Sequence, residues 1–508
     1  MPGIRPYKNN AQRNFILDTQ PPAAGLQFPD SITFNKFFKP VRIEADVYDL
    51  EVEGEIPAVL QGAFYRLGAD AQYPPHLGQD IYLNGDGMMT MVRMENGHAD
   101  LRTRFIRTER FKAERAARRS LYGRYRNPYT DSPEVQGKDR GTANTTAFWF
   151  GGKLYALKED NRPTEMNPHT LETIGYTNFG GTLTGRTFTA HPKIDPRTGN
   201  MIAFAYNADA LISNFIYLYE ITPEGKIIRE EKFEAPYSSM IHDFLVSENH
   251  IAFTLYPMLA DQKRVEAGGP FFSWDPAHQT VVAIIPRAQG VAGLRWYHSP
   301  KLCMETHTMN AWEEGSVLHL EHFISNSGWY SQFPHVSDPN PKEEPPFGQR
   351  WSFDLSSPAD EFTVTPMVPH PGEMPVVDGR FSGSYCRHIF FGAINTNLGP
   401  MLDWGPMGPP FNCLAHLDQQ TGAISHYYPG PHTSTEEPVF VPKSEHAPEG
   451  DGWLISVIGR RDENRSDVVI LDSLNLAAGP VATIQVPFRL RYAFHGCWAT
   501  AAELGWQD

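Results

Sequence analysis

Cysteine is scarce in this chain. Four residues in 508, Cys303, Cys386, Cys413 and Cys497, include no C-x-x-C pair. That excludes a disulfide framework and the usual cysteine zinc sites. Long apolar runs are missing too. No stretch of about 18 consecutive apolar residues occurs, so no spanning helix is expected. The opening "MPGIRPYKNNAQRNF" lacks the apolar core of a secretory signal. These absences make a cytoplasmic protein the default expectation. Basic charge is also in short supply: 44 Lys+Arg against 59 Asp+Glu leave a net charge of −15. An acidic chain of this kind argues against nucleic acid as a partner. Several catalytic signatures are missing as well. "GGTLTG" (180–185) lacks dinucleotide-fingerprint spacing, and there is no P-loop, HExxH or GxSxG.

What is plentiful points to strands and turns. Aromatics make up 12%, with 43 Pro and 42 Gly. Short apolar or alternating runs around polar turns recur at 147–159, 215–235, 250–258 and 453–473, each reading as an antiparallel hairpin. "DPRTGN" (195–200) and "DQQTGA" (418–423) resemble each other as turns, without a fixed repeat period. An all-β fold with this many hairpins must hide its edges, and a propeller does so at this length. The clearest helix is 108–123. Thr108 suits its N-cap, Glu109 its first turn and Gly123 its end, with Phe111, Ala117 and Leu121 on one face. The Pro/Gly-rich stretch 397–412 reads as a long loop. No linker is visible, so residues 36–508 read as one domain with insertions, behind an extension at 1–35.

Nineteen histidines are present. Taken singly, each more often ends as a satisfied polar group than as a metal ligand. "HLEH" (319–322) places His319 and His322 on opposite faces of a strand, a structural or surface pair. "HLD" (416–418) imitates part of a two-histidine, one-carboxylate iron site, but reads as a strand end running into a turn. "THTMNAWEEG" (306–315) carries His307 just before what looks like a reversal, "NAWEEG". No two of His191, His242, His307 and His495 stand at local ligand spacing, so only tertiary structure can bring them together.

These four histidines lie in "FTAHPKIDPRTGNM", "SSMIHDFLVSENHI", "METHTMNAWEEG" and "RYAFHGCW". With "RIEADVYDLEVEGEIPAVLQGAFYR", "ARRSLYGRYRNPYTD", "RGTANTT", "LKEDNRPTEMNPHTLET", "EPVFVP" and "APEGDGWLISVIGR", the set resembles the carotenoid cleavage oxygenase superfamily. More narrowly it resembles the lignostilbene dioxygenase and isoeugenol oxygenase branch, from about residue 36 onward. The resemblance implies a seven-bladed β-propeller capped by helices and loops. It implies one Fe(II) held by His191, His242, His307 and His495, with O2 as co-substrate. Four neutral imidazoles suit Fe(II) and leave up to two octahedral positions free. The resemblance further implies Glu159, Glu373 and Glu437 as acceptors of the imidazoles' second N–H. A lysine and a tyrosine that contact the substrate's 4-hydroxyl are implied at Lys138 and at a position occupied by Phe105, a departure from the pattern. The expected activity is O2-dependent cleavage of an aryl-conjugated C=C bond in a small aromatic alkene, a stilbene or phenylpropene, to two carbonyl products. The alternatives are the same chemistry on an apocarotenoid and a metal-free propeller that binds a ligand or partner.

Overall fold

The structure, a computed structural model, describes residues 26–328, 332–338 and 344–506. Of the expected N-terminal extension, residues 1–25 lie outside these. The rest of the chain is a succession of antiparallel meanders. Strands Lys193–Ile194, Met201–Tyr206, Phe215–Ile221 and Ile227–Glu234 pair in chain order. So do Met304–Glu314, Val317–Ser325, Phe347–Asp354 and Thr363–Pro366, and then Gly372–Val376, His388–Ala393, Cys413–Asp418 and Ala423–Tyr427. This up-and-down sequence of sheets is that of a β-propeller, as expected.

The strands form where the pattern dictates. Met201–Tyr206 is buried along its whole length because it lies inside a sheet covered on both faces. Ile227–Glu234, nearer a sheet edge, alternates between half-buried and exposed until Phe233. Apolar side chains from neighbouring sheets meet in shared clusters, such as Phe204, Phe244 and Phe253 between two successive meanders. Burying a side chain of that size stabilises by about 1.5–3 kcal/mol.

The two ends of the chain close the ring. Strand Gly62–Asp70 pairs with Asp86–Glu95 on one side and with C-terminal His495–Thr500 on the other. Reciprocally, Val52–Gly54 adds to Pro480–Val486. A single parallel bridge, His495 with Thr146, joins the closing strand to the next meander. The closure covers edges that would otherwise template aggregation.

Several local expectations are corrected. The hairpins at 147–159, 215–235 and 453–473 form. The stretch 250–258 does not form one: His250–Leu255 is a single inner strand, paired with Leu245–Val246 and Val281–Pro286. "NAWEEG" is not the reversal, because Asn310–Glu314 continues the strand opposite Val317–Glu321 and the chain turns at Gly315, φ +60°. The helix spans Glu109–Ala117, not 108–123. Thr108 Oγ1 accepts from the Phe111 N–H as foreseen, but Arg118 in the left-handed conformation ends the helix. Gly123 serves another purpose: a Cβ there would lie 2.3 Å from the Thr130 carbonyl oxygen. The stretch 397–412 contains no named strand or helix. No helix among the described residues is long and apolar enough to cross a membrane.

Candidate metal centre

Four separate sheets each bring one imidazole to a common point. His191 precedes strand Lys193–Ile194 and His242 precedes Leu245–Val246. His307 lies inside Met304–Glu314, where the register to the next strand breaks between Glu305 and Thr308. His495 opens the closing strand. Their ligand nitrogens all fall within 4.8 Å of one another. Nε2–Nε2 separations are 3.1 Å for His191–His242, 2.9 Å for His242–His307 and 3.2 Å for His307–His495. His242, His307 and His495 are buried and His191 is half-buried.

Three of the rings are braced from behind. His242 Nδ1 bonds to Glu159 Oε1 at 2.6 Å and His495 Nδ1 to Glu437 Oε1 at 2.7 Å, while His307 Nδ1 bonds to Glu373 Oε2. Glu373 also accepts from the Thr306 hydroxyl and from the backbone N–H of His307 and Met374. Among the described residues, no carboxylate accepts from His191 Nδ1. Burial pushes the Glu159 carboxyl up, but the bond from His242 and the nearby Lys158 and Arg126 cations outweigh it and hold the group at about 2. Burial, reinforced by the other three histidines, drives His191 well below the usual imidazole range, so its ring is neutral.

This arrangement is suited to a cation. A carboxylate facing Nδ1 fixes the proton there and leaves Nε2 as a bare lone pair. His242, His307 and His495 thus aim lone pairs at one another across 2.9–3.2 Å with no proton to bridge them. That is repulsive in an empty site. With imidazole–metal bonds of about 2.0–2.1 Å at right angles, two nitrogens stand about 3 Å apart. The donor set is therefore suited to a divalent transition metal with four neutral nitrogens and open positions.

His242, His307 and His495 line a cavity. Its walls include Phe38, Met240, Ile394, Phe411 and Phe494, with Met407 to Pro410 from the 397–412 loop. The substrate end differs from the sequence-based expectation. Lys138 is exposed on the loop after Pro133–Val135, and Phe105 is buried against Phe111, with ring centroids 5.2 Å apart. Neither lines the cavity. Lys158 does, beside Tyr125, which lines the cavity together with Tyr492; the Lys158 ammonium is 5.1 Å from the Tyr125 ring centre. Lys158 Nζ donates to Leu83 O at 2.9 Å and to Asn144 Oδ1 at 3.0 Å, which leaves a third N–H for a ligand. Burial lowers the Lys158 ammonium against the pull of Asp160 and Glu159, and raises the Tyr125 phenol well above its ordinary range. Arg126 packs beside the Tyr125 ring. It donates to Tyr206 Oη at 2.6 Å and to Glu159 O at 3.4 Å, and lies 6.0 Å over the Tyr125 ring.

The sequence contained both residues in view, in "LKED" and "GRYRNPYTD". Strand alternation would send Lys158 and Glu159 to opposite faces. The strand ends at Leu157, however, so both turn to the cavity. The set-aside histidines stay away from the centre. His416 bonds to His388 at 2.8 Å, and His322 is fully buried on Glu305 at 2.6 Å. "HLEH" is accordingly no surface pair, since His319 is also packed, on Trp312. The four cysteines are free thiols.

Comparison with known proteins agrees with this geometry. The family model described as retinal pigment epithelial membrane protein matches residues 38–500. Lignostilbene-alpha,beta-dioxygenase isozyme III of Sphingomonas paucimobilis is 40% identical over 483 residues, 94% of this chain and 99% of that protein. Isoeugenol monooxygenase of Pseudomonas nitroreducens is 40% identical over 463 residues, 90% of this chain and 96% of that protein. The crystal structure of Pseudomonas brassicacearum lignostilbene dioxygenase superposes with a TM-score of 0.89 at 39% identity, over 94% of this chain and 100% of that one.

Proposed function

We propose, from the premise that this chain belongs to the carotenoid oxygenase family, that it is an Fe(II)-dependent oxygenase of small aromatic alkenes. The reaction is cleavage of an aryl-conjugated double bond, Ar–CH=CH–R + O2 → ArCHO + RCHO, in which both oxygen atoms enter the two carbonyls. The observation that carries the metal is the set of converging Nε2 lone pairs, held by Nδ1–carboxylate bonds on His242, His307 and His495. His191 would be the fourth ligand. Bound there, Fe(II) would supply the redox chemistry that dioxygen requires, with positions left free by a four-nitrogen ligand set.

The chain's own residues would do the rest. Glu159, Glu373 and Glu437 would orient the imidazoles and raise their basicity. The apolar walls would exclude water and lay the alkene over the histidines. Lys158 and Tyr125 would take a phenolic hydroxyl at the far end. An ammonium beside a phenol favours the phenolate, whose charge spreads through the ring into the conjugated double bond. This polar pair in a mostly apolar cavity favours a hydroxylated stilbene or phenylpropene over an apocarotenoid. Relatives named for lignostilbene and isoeugenol support the same choice.

The test is direct. Purified protein is assayed for iron, then incubated with O2 and, side by side, a 4-hydroxystilbene and an apocarotenal. Stoichiometric iron and rapid cleavage of the stilbene are expected, with both lost in His307→Ala. A His307→Ala variant with full iron and full rate would overturn the metal assignment. Preference for the apocarotenal would overturn the substrate class.

A further inference from the structure

Three of the ligand-bearing segments lack regular ladder support at the ligand. His191 and His242 stand outside strands, and the strand carrying His307 breaks register beside it. One side chain touches all three segments. Asp243 directly follows His242 and is 3% exposed. Its Oδ1 accepts from Lys193 Nζ at 2.7 Å, and Lys193 lies two residues beyond His191. Its Oδ2 accepts from the Thr308 N–H at 2.9 Å and from the Thr308 hydroxyl at 2.7 Å, and Thr308 follows His307. Lys193 closes the triangle by donating to Thr308 Oγ1 at 3.1 Å. The one Thr308 hydrogen goes to Asp243 and its lone pair takes the lysine, so the three groups are mutually consistent as donors and acceptors.

We infer that Asp243 is a positioning residue that locks the segments of His191, His242 and His307 into the spacing a metal needs, with Lys193 and Thr308 as its partners. The inference rests on reading the four histidines as a metal centre. The carboxylate holds the residues beside the ligands rather than the rings themselves, and does for the segments what Glu159, Glu373 and Glu437 do for the imidazoles. It matters most for His191, which among the described residues has no carboxylate of its own. The bonds are charge-assisted and buried, the kind that fixes geometry most firmly.

The experiment measures metal binding apart from turnover. Metal-free protein is titrated with Co(II) anaerobically, with affinity and the visible ligand-field bands read together, for wild type, Asp243→Asn, Lys193→Met, Thr308→Val and His307→Ala. Near-UV circular dichroism reports the folding of each variant. Asp243→Asn keeps the shape but turns an NH2 group toward one partner. It is expected to weaken Co(II) binding by about 10–100-fold, the range seen for lost support behind metal ligands, and to shift the bands. Lys193→Met and Thr308→Val are expected to do the same more mildly, and they carry the test if Asp243→Asn does not fold. Folded Asp243, Lys193 and Thr308 variants with wild-type affinity and spectrum, beside a His307→Ala that binds poorly, would overturn the inference and leave the metal reading standing. Wild type that takes up no Co(II), indistinguishable from His307→Ala, would instead remove the metal reading and this inference with it.

Discussion

At the scale of single residues, the proton on Nδ1 decides the chemistry. A glutamate behind an imidazole leaves its front nitrogen free to accept a metal, and three such pairs converge here. The histidines and glutamates were legible in the sequence because they come as a set across distant motifs. Which glutamate meets which histidine was not, since the pairs are 58 to 83 residues apart in the chain. Lys138 shows the limit of reading motifs alone. It sits 20 positions before Lys158, in an equally polar stretch, and only the fold says that one is exposed and the other buried. A hydrogen bond to a charged group is worth about 1.5–3 kcal/mol. Lys158→Met should therefore lower kcat/KM for a 4-hydroxystilbene by roughly 10–100-fold and abolish the preference for the free phenol over its 4-O-methyl ether. Lys138→Met should leave both unchanged. Steady-state kinetics on the two substrates check this, and a silent Lys158→Met would remove phenol binding from the account.

At the scale of elements, turn chemistry is the most local signal and the best read. In "DPRTGN" and "DQQTGA" the Asp carbonyls accept from Gly199 and Gly422 at 2.8 Å, and both glycines have φ +72°. Each closes a hairpin, as the residues imply. The strand of His307 was misread because its turn residues lie further along than the Asn310 that suggested a reversal. The end of that strand is anchored to a neighbouring sheet by Glu313, which accepts from the Ser247 hydroxyl, from Asn249 Nδ2 at 2.6 Å and from His250 Nδ1 at 2.9 Å. Burial pushes this carboxyl up, but these bonds outweigh it and hold it at about 2, below its ordinary value of 4.5. A depressed folded-state value contributes stability that is full above 4.5 and fades as pH falls toward 2. Glu313→Gln should therefore lower Tm at pH 6, and the gap to wild type should narrow steadily between pH 4.5 and about 2. Parallel melting curves across that range test the sign. A gap that widens in acid would refute it.

At the scale of the whole molecule, ring closure and the proposed metal site share one strand. His495–Thr500 covers the edge of Gly62–Asp70 and delivers the last of the four converging histidines. Just before it, Arg489 donates to Phe37 O at 2.5 Å and Lys39 O at 2.6 Å, and Arg491 to Phe38 O at 3.1 Å, Ala69 O at 2.8 Å and Thr33 O at 3.0 Å. The C-terminal segment thus stitches the chain's beginning to its end. Truncation after Phe488 should not merely remove a ligand. It should expose the edge of a buried strand along Gly62–Leu67 and yield protein that aggregates and shows no cooperative melt. His495→Ala should stay folded and soluble while losing metal. Size-exclusion chromatography and calorimetry of the two variants separate the roles. A soluble, cooperatively melting truncation would show that closure does not depend on this strand.

The sequence by itself determined the all-β class, most hairpins and their turns, the N-cap of the helix, and the four histidines and three glutamates as a set. The fold class, hairpins and N-cap follow from short-range periodicity and from turn residues with particular backbone needs, and the histidines and glutamates from the resemblance that their motifs carry together. Only the tertiary structure decided that the histidines meet, which carboxylate braces which ring, that Asp243 ties three ligand segments together, and that Lys158 and Tyr125 rather than Lys138 and Phe105 face the cavity. The physical reason is that the site forms where strands end. Past Leu157, and on either side of His191 and His242, the alternation that reads a side chain's direction from its position no longer holds. Contacts between sheets then set where each group points.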